Sequence, residues 1–241
     1  MKILKAIISL SLTAMLIFSC LSPALALAPD SDRLYDGIDV SVFQGDIDFE
    51  RVRQSGIRVV YIRAGFATGS PDEFFERNAE KARLAGLKFG FYFYVTARTP
   101  YEAELQARYF ASIIRGKDYT CRPVMDFEEF SGLSHTEIRE IGLAFMRALE
   151  QRTRTLPMIY TDAYAASFVW GEEFSRYPLW VADYGPSEPD VIGDVWKSWI
   201  GFQYSDSGRV DGIRDNVDLD KFTSRAFLTE DEKDDNHCRE R

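Results

Sequence analysis

The sequence predicts an α/β fold: a single irregular TIM-like (β/α) barrel whose helices become sparse in its last third. Three observations predict it. Strand-like and helix-like segments alternate from Tyr35 nearly to Phe222, which implies a mostly parallel sheet. About eight strand segments appear in a chain whose 241 residues suit one closed barrel of roughly 250. Nearly every strand ends on a carboxylate, a phenol or an amide, and barrel sites are assembled from groups at the C-terminal strand ends. An open doubly wound sheet is the competing reading. It calls for a Gly-rich first turn, and Gly37-Ile-Asp-Val-Ser41 lacks the G-x-G-x-x-G phosphate cradle.

Tyr35 to Val42 reads as the first strand, with Gly37, Asp39 and Ser41 on one face and Ile38, Val40 and Val42 on the other. Phe49 to Gln54 is a short helix closed by Gly56. Ile57 to Arg63 is rich in β-branched residues and reads as the second strand. Asp72 is expected to cap a helix carrying Phe75, Ala79 and Ala82 on one face, stopped by Gly86. Leu87 to Val95, with its run of aromatics, is the third strand. Thr99-Pro-Tyr-Glu102 is a capping box with proline at the first helical position, and its helix runs to Gly116. A second box, Ser134-His-Thr-Glu137, opens a helix in which Ile138, Ile141, Phe145 and Leu149 recur at helical spacing. Pro157 to Thr161 is a strand with Asp162 as the following cap. Leu179 to Ala182, Trp199 to Tyr204 and Asn216 to Phe222 are further strands, with little helix after residue 170. No internal repeat is visible.

Residues 1–28 stand apart from the predicted catalytic barrel at 35–228. Lys2 and Lys5 precede an apolar run from Ala6 to Phe18, and Ala24-Leu-Ala26 and Ala26-Leu-Ala28 are small-x-small cleavage sites. The segment reads as a secretory signal peptide, giving a secreted protein with no stable membrane insertion after cleavage. Ile17-Phe-Ser-Cys20 loosely resembles a lipobox, and lipid anchoring through Cys20 ranks second because Phe18 is bulky for that motif. Cleavage removes two lysines and no acid, taking the formal charge from −9 to −11. Such a surface argues against nucleic acid, whose phosphates demand Lys/Arg clusters. Residues 229–241 are highly charged and are expected to form a disordered tail. Cys121 and Cys238 are read as two unpaired thiols. His135 and His237 form no cluster with metal spacing, so no metal or other cofactor is expected, and the chain reads as a monomer.

At the centre lies Arg122-Pro-Val-Met-Asp-Phe-Glu-Glu129. In a strand, Val124, Asp126 and Glu128 share one face and Met125 and Phe127 the other. Burying a charge is costly unless it is paired, so two acids at a strand exit suggest a pocket that drives their pKa values apart. The alternative is a solvated Asp and Glu where a strand becomes a loop. The other exits carry Asp39, Arg63, Tyr92 or Tyr94, Tyr160, Asp183 or Tyr184, Gln203 and Asp218. An acidic ring with an aromatic rim suits carbohydrate, with carboxylates for acid–base work and ring faces for stacking. Each residue also has a plainer role: Asp39 as a turn cap, Tyr92 and Tyr160 as core, Arg63 as a neutraliser, Asp218 as a turn residue. Trp180 and Tyr184 share a face, so at least one is a candidate sugar platform. Asp183 reads as structural, and Glu129 and Asp220 as solvated.

Taken together these motifs resemble the lysozymes of glycoside hydrolase family 25. The landmarks are Gly37-Ile-Asp-Val-Ser41, Gly86-Leu-Lys-Phe-Gly-Phe-Tyr92, Pro123-Val-Met-Asp-Phe-Glu128, Ile159-Tyr-Thr161, Leu179-Trp-Val-Ala182, Phe202-Gln-Tyr204 and Val217-Asp-Leu-Asp-Lys-Phe222. The resemblance implies hydrolysis of the β-1,4 bond between N-acetylmuramic acid and N-acetylglucosamine in peptidoglycan glycan strands. It also implies Glu128 as general acid, and Asp126 as the group that assists the substrate's 2-acetamido oxygen in a retaining, substrate-assisted reaction. Asp39 and Asp218 would complete the acidic ring, with Tyr92, Tyr160, Tyr184 and Gln203 binding substrate. Three positions depart from the family pattern. Phe93 stands where His is common, Arg63-Ala-Gly65 where Thr-Glu-Gly is common, and Asp220 where Asn is frequent. A non-catalytic peptidoglycan-binding module and a chitinase-like glycosidase are the alternatives. The latter class carries a longer acidic run than this chain supplies.

Overall fold

The computed structural model describes residues 26–232. The predicted signal segment up to residue 25, including Cys20, and the tail from residue 233, including Cys238, lie outside the described residues. Eight strands close a barrel in sequence order. They are β1 (Tyr35–Val40), β2 (Val59–Phe66), β3 (Lys88–Tyr94), β4 (Val124–Asp126), β5 (Met158–Asp162), β6 (Leu179–Ala182), β7 (Gly201–Gly208) and β8 (Val217–Phe222). From β1 to β7 neighbouring strands are parallel. β8 runs antiparallel to both β7 and β1. The closed barrel is the predicted one. Its helices are α1 (Phe49–Gln54), α2 (Phe75–Leu84), α3 (Pro100–Ile113), α4 (His135–Thr153) and α5 (Ala163–Phe168). No α-helix joins β6 to β7 or β7 to β8.

Local chemistry sets these elements. Ser134 and Glu137 satisfy each other's backbone N–H groups at the start of α4, completing the expected box. At α3 the box is half formed. Thr99 accepts from the Glu102 N–H, while the Glu102 carboxylate accepts from Arg98, one residue before the cap. Asp162 caps α5 through the Ala165 N–H. Asp72 does not take the cap position of α2, which falls to Phe74. Its carboxylate instead accepts from the Val42 and Phe74 N–H groups and pairs with Arg63. A buried carboxylate gains more from a cation and two amides on different elements than from one cap bond.

Two apolar layers follow from strand parity. The outer one packs helices on the barrel: Ile138, Ile141, Phe145 and Leu149 of α4 face Met125, Phe127 and other outward strand residues. The inner one is small and holds Val59, Tyr61, Val124, Met158, Trp180, Ile200 and Phe222, with Cys121 fully buried among them. The Tyr61, Trp180 and Phe222 rings meet with centroids 4.9 to 5.2 Å apart. Glycine makes room for them. A Cβ on Gly201 would lie 2.7 Å from the Trp180 ring and 2.8 Å from Phe222.

Where helices are missing, the outer wall of β7 is covered by residues 27–30. Leu27 is buried and its N–H donates to Pro189, while Ala28 and Asp30 hydrogen-bond Trp199. Residues 229–232, assigned from charge to the tail, are held at the base of the barrel. Arg122 pairs with Glu232 at 2.6 Å, and Glu232 also accepts from the Thr229 N–H.

Gly201→Ala is expected to destabilise the barrel by about 1–3 kcal/mol, because the methyl overpacks two rings held by their neighbours. Chemical denaturation should show this as a lower midpoint with an unchanged slope.

Candidate active site

The C-terminal ends of the parallel strands open on a pocket of about 310 Å³ lined by Asp39, Asp126, Glu128 and Asp218. The four acids predicted to form a ring are therefore brought together. β1 and β8 supply the first and last, since Asp39 and Asp218 are opposite partners in the antiparallel ladder. β4 supplies Asp126, and there the structure departs from the expected strand. The strand ends at Asp126, one residue before Phe127 and two before Glu128. Phe127 still packs outward into the helix layer, so the alternation persists one step past the ladder and returns Glu128 to the pocket. Asp126 is buried and lies beside Glu128, which is exposed at the rim.

Burial governs the electrostatics. The Asp126 carboxyl is pushed well above the ordinary range, first by desolvation, then by the charge of Glu128. One oxygen of Asp126 is buried without a hydrogen-bond partner. Asp39 is raised likewise, by burial and then by Asp218, with a hydrogen bond from Gln203 pulling the other way. Asp218, only half-buried, is raised to about 6 by desolvation and by Asp206.

An amide network holds this cluster. The Gln203 Nε2 donates to Asp39 Oδ2 at 2.8 Å. Its Oε1 accepts from the Tyr160 hydroxyl at 2.8 Å and from the Tyr184 hydroxyl at 2.6 Å. Two phenols on the carbonyl side leave the amide nitrogen turned to the acid, which fixes the orientation of the side chain. Gln203, predicted to bind sugar, is buried and has its hydrogen bonds taken up inside the protein. Tyr92 and Tyr160 line the pocket half-buried. Tyr184 is 49% exposed and offers a ring face, whereas Trp180 is 2% exposed and forms part of the floor. Of the two candidate platforms only Tyr184 is open to a sugar.

Asp220 corrects the sequence reading. Expected in solvent, it is fully buried beneath Asp39, between Gln203 of β7 and Gly37 of β1. The Trp180 indole donates to one oxygen at 3.0 Å, and the other has no partner. Desolvation, then Asp39 and Asp218, raise it well above the ordinary range. Asp218 and Asp220 are two apart on one strand, and that spacing was the available signal. Ser41, Phe43, Gln44 and Tyr94 also line the pocket. Phe43 and Gln44 lie past the first strand, so strand parity did not reach them. Arg63 lines the pocket too, but its ion pair is with Asp72 and not with a member of the ring. Asp183 accepts from the Asp190 N–H and orders its own loop.

A parallel-stranded barrel closed by one reversed strand, with carboxyls converging between tyrosines at its mouth, has the build of a carbohydrate-cleaving hydrolase. The chain belongs to the glycosyl hydrolases family 25, whose model matches residues 38–213. It is similar to an autolytic lysozyme of Clostridium acetobutylicum, 35% identical over 193 residues, or 80% of this chain and 57% of that protein. Lysozyme M1 of Streptomyces globisporus is 34% identical over 202 residues, 79% of this chain and 68% of that one. The chain thus spans little more than half the length of the clostridial relative. Among solved structures, the bacterial lysozyme of Streptomyces coelicolor matches with a TM-score of 0.69 and 28% identity, covering 86% of this chain and 99% of that one. A muramidase from Acremonium alcalophilum matches with a TM-score of 0.69 and 25% identity, covering 85% and 99%.

The raised carboxyls have a stability consequence. Asp218 binds its proton more tightly folded than unfolded, so its contribution is fully present below about pH 4 and is lost as pH rises through about 6. Asp218→Asn should therefore flatten the stability profile between those limits. After discounting for partial exposure, the variant should gain roughly 1 kcal/mol over the parent at pH 7, read from thermal melts across pH.

Proposed function

We propose that this chain is a muramidase that hydrolyses the β-1,4 bond between N-acetylmuramic acid and N-acetylglucosamine, with Glu128 as general acid and Asp126 as its partner. The observation that carries the reading is the adjacent Asp126–Glu128 pair, one member buried and one at the rim, inside the four-acid pocket. Two carboxyls in such different surroundings divide one proton between them, which is how a single site supplies both an acid and a base.

In the first step the Glu128 proton passes to the glycosidic oxygen as the bond from that oxygen to the anomeric carbon breaks. The carbonyl oxygen of the substrate's own acetamido group attacks the same carbon, giving a cyclic oxazolinium. Asp126, ionised while Glu128 holds the pair's one proton, accepts the acetamido N–H and offsets the positive charge. Glu128, left as carboxylate, then takes a proton from a water whose oxygen opens the ring from the opposite face. Two inversions give net retention, and no protein nucleophile is consumed. Asp39, held by Gln203, and Asp218 bind sugar hydroxyls beside the pair. Tyr184 stacks on a ring, and Tyr92 and Tyr160 wall the pocket.

The protein is proposed to be secreted, with cleavage after Ala26. Cleavage after Ala28 would discard Leu27, whose side chain and N–H are both engaged with the barrel. N-terminal sequencing of exported protein should begin at Leu27.

Glu128→Gln should lower turnover of purified peptidoglycan by at least about 10³-fold while binding survives, and Asp126→Asn by about 10²-fold or more. Mass spectrometry of the digest should find N-acetylmuramic acid at the new reducing ends. Release of no reducing ends by the parent would leave only a binding module. Faster cleavage of chitin oligomers than of muramyl glycan would make it a chitinase-like enzyme.

A further inference from the structure

We propose that Arg63, backed by Phe43, is a subsite for the lactyl oxygens of the muramyl sugar, the group that distinguishes peptidoglycan from a plain N-acetylglucosamine polymer. The inference rests on the muramidase reading and names the contact that makes the site selective.

Arg63 is the single cationic side chain among the described residues lining an otherwise acidic pocket. Its charge is felt at Asp126, where it opposes the effect of burial, but its guanidinium is paired with no ring member. It pairs with Asp72, outside the pocket, whose side chain is wholly buried. Both Nε and Nη2 lie 2.8 Å from the same Asp72 oxygen. Asp72 is in turn held by the Val42 and Phe74 N–H groups. Two corners of the guanidinium are thereby committed, and the Nη1 edge is left to face other partners. A slip of register between Arg63 and Gly65, at the rim of β2, re-aims the strand where this side chain leaves it. The guanidinium carbon also lies 4.9 Å from the centroid of Phe43, a ring 74% exposed. An arginine so fixed presents a rigid, charged donor edge, and the rigidity removes most of the ordering cost that a free side chain would meet on binding.

The placement suits the muramyl unit. β2 and β6 are four strands apart in a ring of eight, so Arg63 and Tyr184 stand on opposite walls of the mouth. A sugar stacked on Tyr184 with its acetamido group toward Asp126 turns another substituent toward the Arg63 wall. In N-acetylmuramic acid the O3 substituent ends in a carboxylate, or in an amide carbonyl when the stem peptide is attached. Either is an oxygen acceptor for a guanidinium edge. N-acetylglucosamine offers only a hydroxyl there. Elsewhere the mouth is acidic, so a carboxylate has no other cation among its lining residues to meet.

The test measures binding on the Glu128→Gln background, using a muramyl-glucosaminyl tetrasaccharide with and without its stem peptides, and chitotetraose as the lactyl-free control. Nuclear magnetic resonance titration reads weak affinities for all three. Replacing Arg63 alone strands the buried Asp72, so the informative variant is Arg63→Gln with Asp72→Asn, which removes both charges and keeps an acceptor for one of the Val42 and Phe74 N–H groups. Its melting temperature must match the parent's to within a few degrees. The parent should bind the muramyl glycan at least tenfold more tightly than chitotetraose. The double variant should lose about tenfold on the muramyl glycan and stay within twofold on chitotetraose, and Arg63→Lys should recover part of the loss. Loss on the peptide-free glycan alone assigns the ionised carboxylate, and loss on both forms assigns the carbonyl oxygen; either supports the subsite. Equal weakening toward all three ligands, or no preference in the parent, overturns it. Failure of the muramidase reading looks different, because then the parent enzyme releases no muramic reducing ends.

Discussion

Gathering five carboxyl groups, Asp39, Asp126, Glu128, Asp218 and Asp220, at one end of a barrel with one arginine beside them is the constraint that the rest of the structure serves. Like charges in low dielectric repel strongly, and such a cluster persists only if protons are retained and the remaining charges are hydrogen-bonded. The barrel meets both conditions. Burial pushes Asp39, Asp126 and Asp220 well above the ordinary carboxyl range, which favours retaining protons in the cluster, and the network from Tyr160 and Tyr184 through Gln203 supplies a fixed donor to Asp39. Beneath them the Trp180 indole serves Asp220 in the same way. The aromatic residues of the inner barrel are thus the supports of an acid site as much as they are a core.

This arrangement divides the pocket by depth. The deep acids are shielded from water, whereas Glu128 projects past the end of its strand to the rim. The split follows from the length of β4. A ladder continued to residue 128 would place the second acid in the same wall as the first. Ending it at Asp126, with Phe127 anchored among Phe130 and Trp170, lets the second acid swing out while its neighbour stays fixed.

Much of this was legible in the residues. The alternation in Gly37-Ile-Asp-Val and in Val124-Met-Asp-Phe settles which side chains point inward, and the inward ones are the acids. The closing strand was visible as a strand but its reversed direction was not, since a parity pattern reads the same in either sense. The charge of Asp220 points to solvent, whereas its spacing of two from Asp218 on one strand puts it on the inward face, and the structure follows the spacing. The pairing of Arg63 with Asp72 crosses a register slip and a turn, and no local pattern encodes it. The wall formed by residues 27–30 was hidden for another reason: its apolar residues continue the apolar composition of the residues before them, and composition does not mark which of them pack on the barrel.

The reversed final strand also decides where the polypeptide leaves the barrel. Entering at the mouth with Asp218 and descending past Asp220, β8 delivers the backbone to the base, where Phe227 bridges Cys121 and Arg122 clasps Glu232. A reporter, an affinity handle or a surface tether attached at that clasp would start from the end of the barrel opposite the four-acid pocket. The protein can therefore be immobilised from this end with the mouth of the barrel left open.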